Sequence, residues 1–279
     1  MELTCFKVEI EHNIAHVILN RPDKRNAMYA DFWRELPAII HDIDDQSRAR
    51  VIVISSTGPH FSAGLDLSMF GQADAESGPE LNKNQRAVAS YHHILHMQKT
   101  FNCLEACRLP VIAAVQGGAI GGGVDLSTAC DIRYATKDAF FTIQEINIGL
   151  TADVGTFPRL VKLLPEGVVR EMAYTGRAMP ASEAQQVGLV NRVFDDQQAM
   201  LEGVMGVAAE IAAKAPVAIY GSKRMINYAR DHSTEDALDY ISIWNTSMMN
   251  SGEIQEAIAA RKEQRSGNFV DLPPKRRMS

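Results

Sequence analysis

Residues 111–115 read VIAAV, five apolar residues in succession with no polar alternation. Successive side chains of a strand point to opposite faces of a sheet, so a strand of this kind must be covered on both sides. Pro110 opens the run, and a glycine-rich segment at residues 117–126, GGAIGGGVDL, follows it. Residues 51–55, VIVIS, have the same character. Doubly covered strands require crossover connections, and that predicts an α/β architecture.

The surrounding pattern agrees. Residues 6–11 and 15–19 read as strands, residues 30–43 as a helix, and 51–55 as a strand again. Between the second strand and the first helix, RPDKRNAM supplies turn chemistry through Pro22, Asp23 and Asn26. A second unit comprises the loop GPHFSAGLDL, a long helix over residues 81–106, and VIAAV; residues 125–130, 132–134 and 140–143 carry the alternation on. The polar stretch at residues 71–84 reads as a mobile loop. Beyond about residue 195 strand-like runs stop, and helices are expected at 198–213, 217–230, 234–249 and 252–265. The expected organisation is therefore a core over residues 1–195 and a helical region over residues 196–279. In the latter, YISIWNTSMM is more apolar than a lone surface helix requires, which suits packing on the core or on another subunit.

Composition excludes several function classes. Of 279 residues 28 are Lys or Arg and 34 Asp or Glu, a formal charge of -6 with no basic block, which argues against nucleic-acid or anionic membrane partners. No apolar run approaches the roughly 20 residues needed to span a bilayer. The opening residues, MELTCFKVEIEHN, carry acids and alternate apolar with polar, unlike a signal peptide, and the final KRRMS is not a peroxisomal SKL address; a cytoplasmic location is expected. Four cysteines are too few for a disulfide scaffold and read as small apolar fillers. His92, His93 and His96 precede Cys103 and Cys107, but Val88, Tyr91, Ile94, Leu95, Phe101 and Leu104 form a helical apolar stripe, so no metal is expected there.

Chemistry concentrates in two glycine-bearing loops and three acids. GGAIGGGVDL lacks the Lys-Ser/Thr ending of a phosphate loop, and Ala119 breaks the dinucleotide spacing. A structural tight turn and an oxyanion hole remain. FSAGLDL at residues 61–67 also follows an apolar strand and could offer a second N–H donor; Asp66 within it reads as a helix cap rather than an acid catalyst. Asp125, Glu145 and Asp153 lie among apolar and small residues, an unusual setting for acids that only solvate a surface. Each alone also fits a cap or a buried ion-pair partner, as Asp131 beside Arg133 does. Grouped, they would push one pKa up and place an acid beside a base, which suits proton transfer at carbon.

In order, NRPDKRNAM, FSAGLDL, LPVIAAVQGGAIGGGVDLSTACDIRY and AFFTIQEINIGLTADVGTFPRL resemble the crotonase (enoyl-CoA hydratase/isomerase) family over nearly the whole chain. The resemblance implies a spiral of ββα units and a C-terminal helical region used for trimer contacts, with two trimers commonly stacked into a hexamer. It implies a CoA-thioester substrate bound through Ala63, Gly64, Leu65, Asp66 and Leu67, with Lys24 and Arg25 near CoA phosphates. The backbone N–H groups of Leu65 and Gly122 would form the oxyanion hole. Hydratases of the family carry glutamates at both catalytic positions; here Asp125 stands at the first and Glu145 at the second, with Asp153 eight residues further on. That trio resembles the branch that converts 3,5-dienoyl-CoA to 2,4-dienoyl-CoA without metal or redox cofactor. Hydration of a 2-enoyl-CoA is the alternative activity, and a non-catalytic acyl-CoA- or RNA-binding relative the more distant one.

Overall fold

The computed structural model describes residues 3–69 and 81–275. The mobile loop expected at residues 71–84 falls mostly on residues 71–80, which lie outside the described residues.

Strands β1 (Phe6–Glu11) and β2 (Ile14–Leu19) form an antiparallel hairpin. His12 and Asn13 both adopt positive φ, 50° and 64°, as a two-residue hairpin turn requires. Helix α1 (Ala30–Asp45) then leads to β3 (Val51–Ser56), and α2 (Lys83–Ala106) to β4 (Val111–Val115). After β5 (Gly118–Ile120) and α3 (Gly122–Thr128) come β6 (Ile132–Thr136) and β7 (Phe140–Thr142). Helices α4 (Thr156–Leu163) and α5 (Glu166–Thr175), strand β8 (Ala178–Pro180), α6 (Ala181–Gln186) and β9 (Arg192–Phe194) complete the strand-bearing part.

Two sheets result. The larger has the order β1-β2-β3-β4-β6-β9 and is parallel from β2 onward; the smaller has the order β5-β7-β8. The α/β architecture expected from VIAAV is present, and every residue of β3 and β4 is buried. Their side chains divide by parity, as a pleated strand demands. Ile52, Ile54, Val111, Ala113 and Val115 enter the main core with the α1–α2 aromatics Phe32, Trp33 and Phe101, whereas Val51, Val53, Ile112 and Ala114 face α7 (Gln197–Ala212). That helix presents Met200, Val204, Ala208 and Ala212 at four-residue spacing, one stripe on one face. Burying its Met and Val contributes roughly 1.5–3 kcal/mol each. The first helix after residue 195 thus closes the back of the sheet.

Helices α8 (Pro216–Asp231), α9 (Thr234–Met248) and α10 (Ser251–Lys262) follow. The last ends three residues short of the expected 265. Lys223 anchors α8: buried, it donates to the carbonyls of Leu104 and Leu109 and pairs with Asp131 at 2.8 Å. Asp131 is structural, as expected, but its partners are Lys223 and the Val111 N–H, while Arg133 donates to the carbonyls of Leu189 and Cys130. Helix α9 buries none of its residues and exposes Leu238, Ile241 and Ile243. Among the described residues no single helix is long and apolar enough to cross a membrane.

The apolar stripe expected along α2 is only half used. Phe101 and Leu104 are buried, but Val88 and Tyr91 are exposed, because the first turns of the helix extend past its packing partner α1. An Asn82–Gln85 capping box starts this projecting end, so local hydrogen bonds stabilise it where tertiary packing does not.

Candidate active site

The sequence shows GGAIGGG as a loop, yet Gly118 to Ile120 is a strand, and that difference assembles the site. β5 pairs in parallel with β7 on one side and, through a bridge between Ala119 and Ser62, with the FSAGLDL segment on the other. Ser62 N–H donates to the Gly118 carbonyl and Ile120 N–H to the Ser62 carbonyl. Two parallel segments in register at Ser62 and Ala119 advance together, so Leu65 and Gly122 emerge side by side three residues later. A second bridge, Met28 to Leu65, uses the N–H groups of Met28 and Asp66. A parallel bridge of that form turns the Leu65 N–H the other way, and the Gly122 N–H, at the first position of α3, has no carbonyl four residues back to reach. Among the described residues neither N–H has an acceptor.

Several residues that sequence reasoning did not connect with the site hold this arrangement. Asn26, buried at φ 54°, donates from its amide to the carbonyls of Thr57 and His60 and accepts from the Arg21 N–H. Ser62 donates to the Asn26 carbonyl and accepts from the Gly64 N–H. His60 Nδ1 accepts from the Gly118 N–H at 2.9 Å. Asn26 was visible in the sequence as a turn residue; its reach of more than thirty positions was not.

The acids converge on the same place. Glu145 begins a 3-10 turn after β7, and its Oε1 lies against Gly121: a Cβ on that glycine would stand 3.0 Å from it. Asp125, fully buried in the first turn of α3, accepts from the Thr156 hydroxyl at 2.7 Å through Oδ1. Its Oδ2 and Glu145 Oε2 are buried with no hydrogen-bond partner among the described residues. Burial pushes the Asp125 carboxyl up to about 7, reinforced by the charges of Glu145 and Asp153 against the hydrogen bond from Thr156. Glu145 is raised too, by burial first and by Asp153 second. Asp153 is exposed rather than enclosed. Residues 152–154 alternate buried, exposed, buried, so Ala152 and Val154 are packed while the Asp153 side chain stays accessible, near enough to Glu145 for its charge to raise that carboxyl. Nearby atoms still desolvate its carboxyl enough to raise it. Gln98 of α2 donates to the Asp153 carbonyl at 2.7 Å.

The expected CoA contacts occupy the rim. Lys24 and Arg25 are exposed in the turn after β2, Arg25 at φ 50°. Gly64 is buried, Ala63, Leu65 and Asp66 are half-buried, and Leu67 is 67% exposed, an apolar side chain left in solvent beside the free N–H groups. Asp66 accepts from the N–H and hydroxyl of Ser68 and lies 3.7 Å from Arg21, a turn-capping role and not an acid's.

Among the described residues no group of three or more His, Cys, Asp and Glu side chains is placed to hold a metal ion. His92, His93 and His96 are exposed on α2, whereas Cys103 and Cys107 are buried, their thiols pushed up to about 12 by burial. All four cysteines are free and buried, as small apolar fillers would be.

A spiral α/β fold with two free N–H groups near buried carboxyls of raised proton affinity defines a class: proteins able to polarise a carbonyl and move protons next to it. The particular family follows from comparison. The sequence profile of the enoyl-CoA hydratase/isomerase family matches residues 9–272, and the chain belongs to that family. It is similar to the mouse delta(3,5)-delta(2,4)-dienoyl-CoA isomerase, mitochondrial, with 46% identity over 264 residues covering 93% of this chain and 80% of the relative. The peroxisomal protein of that name from Arabidopsis thaliana is 36% identical, with 97% of each chain covered. Among solved structures, a Thermobifida fusca protein in complex with acetoacetyl-CoA superposes with a TM-score of 0.78 at 30% identity, covering 87% of this chain and 94% of that one.

Proposed function

We propose that the protein is an isomerase that converts 3,5-dienoyl-CoA to 2,4-dienoyl-CoA. The observation that carries the reading is the approach of Glu145 Oε1 to Gly121, the residue immediately before Gly122, which supports a proton-transfer role for this carboxyl next to an oxyanion hole of the Leu65 and Gly122 N–H groups. Those N–H groups would hold the thioester oxygen and stabilise the charge that develops on it. With the carbonyl polarised, one carboxylate removes a proton from C2, the charge spreads along the conjugated chain, and a second carboxyl returns a proton at C6. Both double bonds shift by one position, and atoms and charge balance without an added reagent.

Glu145 and Asp153 are the two proton shuttles in this reading, and Asp125 orients them or holds a shared proton. All three acids are raised in proton affinity, and Asp125, pushed up to about 7, is the one poised to hold or release a proton near neutral pH. The loop at Ala63 to Leu67, with Lys24 and Arg25, binds the CoA portion. No metal or redox cofactor takes part in the scheme. Residues 196–279 serve oligomerisation into a homotrimer or homohexamer, with the apolar, unburied α9 as the contact; light scattering of the purified protein tests this. The cytoplasm is the proposed compartment, although the mouse and Arabidopsis relatives are named mitochondrial and peroxisomal; imaging of the tagged full-length protein decides it.

The deciding experiment incubates purified protein with a 3,5-dienoyl-CoA and follows the ultraviolet absorbance of the conjugated product. Brisk hydration of a 2-enoyl-CoA with no dienoyl product would replace the isomerase reading with the hydratase one.

A further inference from the structure

Asp125 is the most enclosed of the three acids, and among the described residues one side chain holds its carboxyl. The Thr156 hydroxyl donates to Oδ1 at 2.7 Å, both residues are about 1% exposed or less, and Oδ2 has no partner among the described residues. Thr156 is the first residue of α4, directly after Gly155, whose φ of 136° is one a side-chain-bearing residue rarely adopts. A Cβ on Gly155 would stand 1.8 Å from Arg159 Nη1, so the guanidinium lies flat against this turn. Arg159 is itself held by Glu105, through Nε at 3.0 Å and Nη2 at 2.7 Å, and by Asn102 at 2.7 Å. Helix α2 therefore braces Arg159, Arg159 braces the turn at Gly155, and the turn presents the Thr156 hydroxyl.

We infer that Thr156 is a positioning residue of the site: by occupying Oδ1 of Asp125 it leaves Oδ2 as the only oxygen of that carboxyl free to hold or exchange a proton, and so sets which proton the acid cluster shares. The charged groups facing Asp125 are Glu145 from the turn after β7, Asp153 from the loop before α4, and Arg159 from α4. Two of the three are acids, whose negative charge favours proton uptake by Asp125, so the hydroxyl donor is the main group restraining it, ahead of Arg159. A donor to the ionised form favours that form, and its removal moves the titration upward.

The inference rests on the isomerase reading only for its catalytic consequence. It is tested by infrared difference spectroscopy of the full chain across pH. The carboxylic acid band of Asp125 is identified by its loss in Asp125→Asn. In Thr156→Val the midpoint of that band is expected to rise by about one pH unit, the worth of one hydrogen bond. Thr156→Ser, which keeps the hydroxyl, is expected to return it to its original position. Thr156→Ala provides the same measurement should valine fail to give folded protein. On a 3,5-dienoyl-CoA, Thr156→Val is expected to lower kcat with KM held within about threefold and to shift the pH profile of kcat, and Thr156→Ser to restore both. An unmoved Asp125 midpoint in both Thr156→Val and Thr156→Ala overturns the assignment. If the unsubstituted protein leaves the dienoyl-CoA unchanged, the functional reading falls while the infrared midpoint still decides the role of Thr156.

Discussion

Gly64 and Gly122 approach so closely that a methyl group on Gly64 would stand 3.2 Å from the Gly122 amide nitrogen and 2.5 Å from the Ile120 carbonyl oxygen. Gly64 also sits at φ 80°, so neither space nor backbone conformation accommodates a side chain. Gly64→Ala is expected to push the two loops apart and lower kcat by about 10²–10³-fold, the usual loss of one oxyanion donor, with a smaller change in KM. Steady-state kinetics on a 3,5-dienoyl-CoA check this; an unchanged kcat would remove the Leu65–Gly122 pair from the chemistry.

The carboxylates are separable from binding. Glu145→Gln and Asp153→Asn are each expected to lower kcat by about 10²–10⁴-fold, the range for loss of a general acid or base. Both should leave the affinity for a CoA ester within a few-fold, since neither residue lies on the Ala63 to Leu67 loop. Calorimetric titration with a non-reacting acyl-CoA beside turnover assays tests the pair. If both variants keep full turnover and full binding, the proton-shuttle assignment is wrong.

Asp125 makes stability depend on pH. Its carboxyl titrates at about 7 in the fold against 3.8 for an unperturbed aspartate, so the folded state holds a proton that the unfolded chain has already lost. The resulting stability is fully present below pH 3.8 and is lost as pH rises through about 7. Asp125→Asn abolishes that loss. The melting-temperature difference, variant minus unsubstituted, should grow between pH 4 and pH 8 by roughly 8 °C or more, from an ionisation cost of order 4 kcal/mol. A difference that stays flat across this range would show that burial does not hold the proton on Asp125.

Lys223 ties the helical tail to the strand core, and its loss should be felt. Lys223→Met leaves Asp131, one-quarter exposed, without its cation and strips the Leu104 and Leu109 carbonyls of a donor. The expected cost is about 3 kcal/mol, or roughly 6–12 °C in Tm for a domain of this size. Differential scanning calorimetry reads it, and a shift under about 1 °C would show that α8 docks through apolar contact alone.

Much of the architecture was legible because its cause is local. VIAAV and VIVIS had to be covered on both faces, and they are the central strands. The helix expected at residues 234–249 runs Thr234–Met248, started by the Ser233 side chain, which accepts from the Asp236 N–H. The short strands β5, β8 and β9 were not legible: unlike the equally short β7, whose Phe140 and Phe141 favour a strand, β5 is flanked by glycines that advertise a loop, and β8 and β9 have three residues each with a proline or an arginine among them. The exposure of Val88 and Tyr91 escaped for the opposite reason. Their helical spacing is real, but spacing says nothing of where the partner helix ends.

By itself the sequence determined the fold class, the order of the two glycine-bearing loops, and which acids stand in apolar surroundings, since these depend on residue type and neighbours along the chain. Only the tertiary structure decided that Ser62 and Ala119 pair in register, that Glu145 meets Gly121, and that Thr156 reaches Asp125 across thirty-one positions. Long-range contacts are set by the joint packing of two sheets and their helices, and no local pattern encodes which of several buried polar groups will find one another.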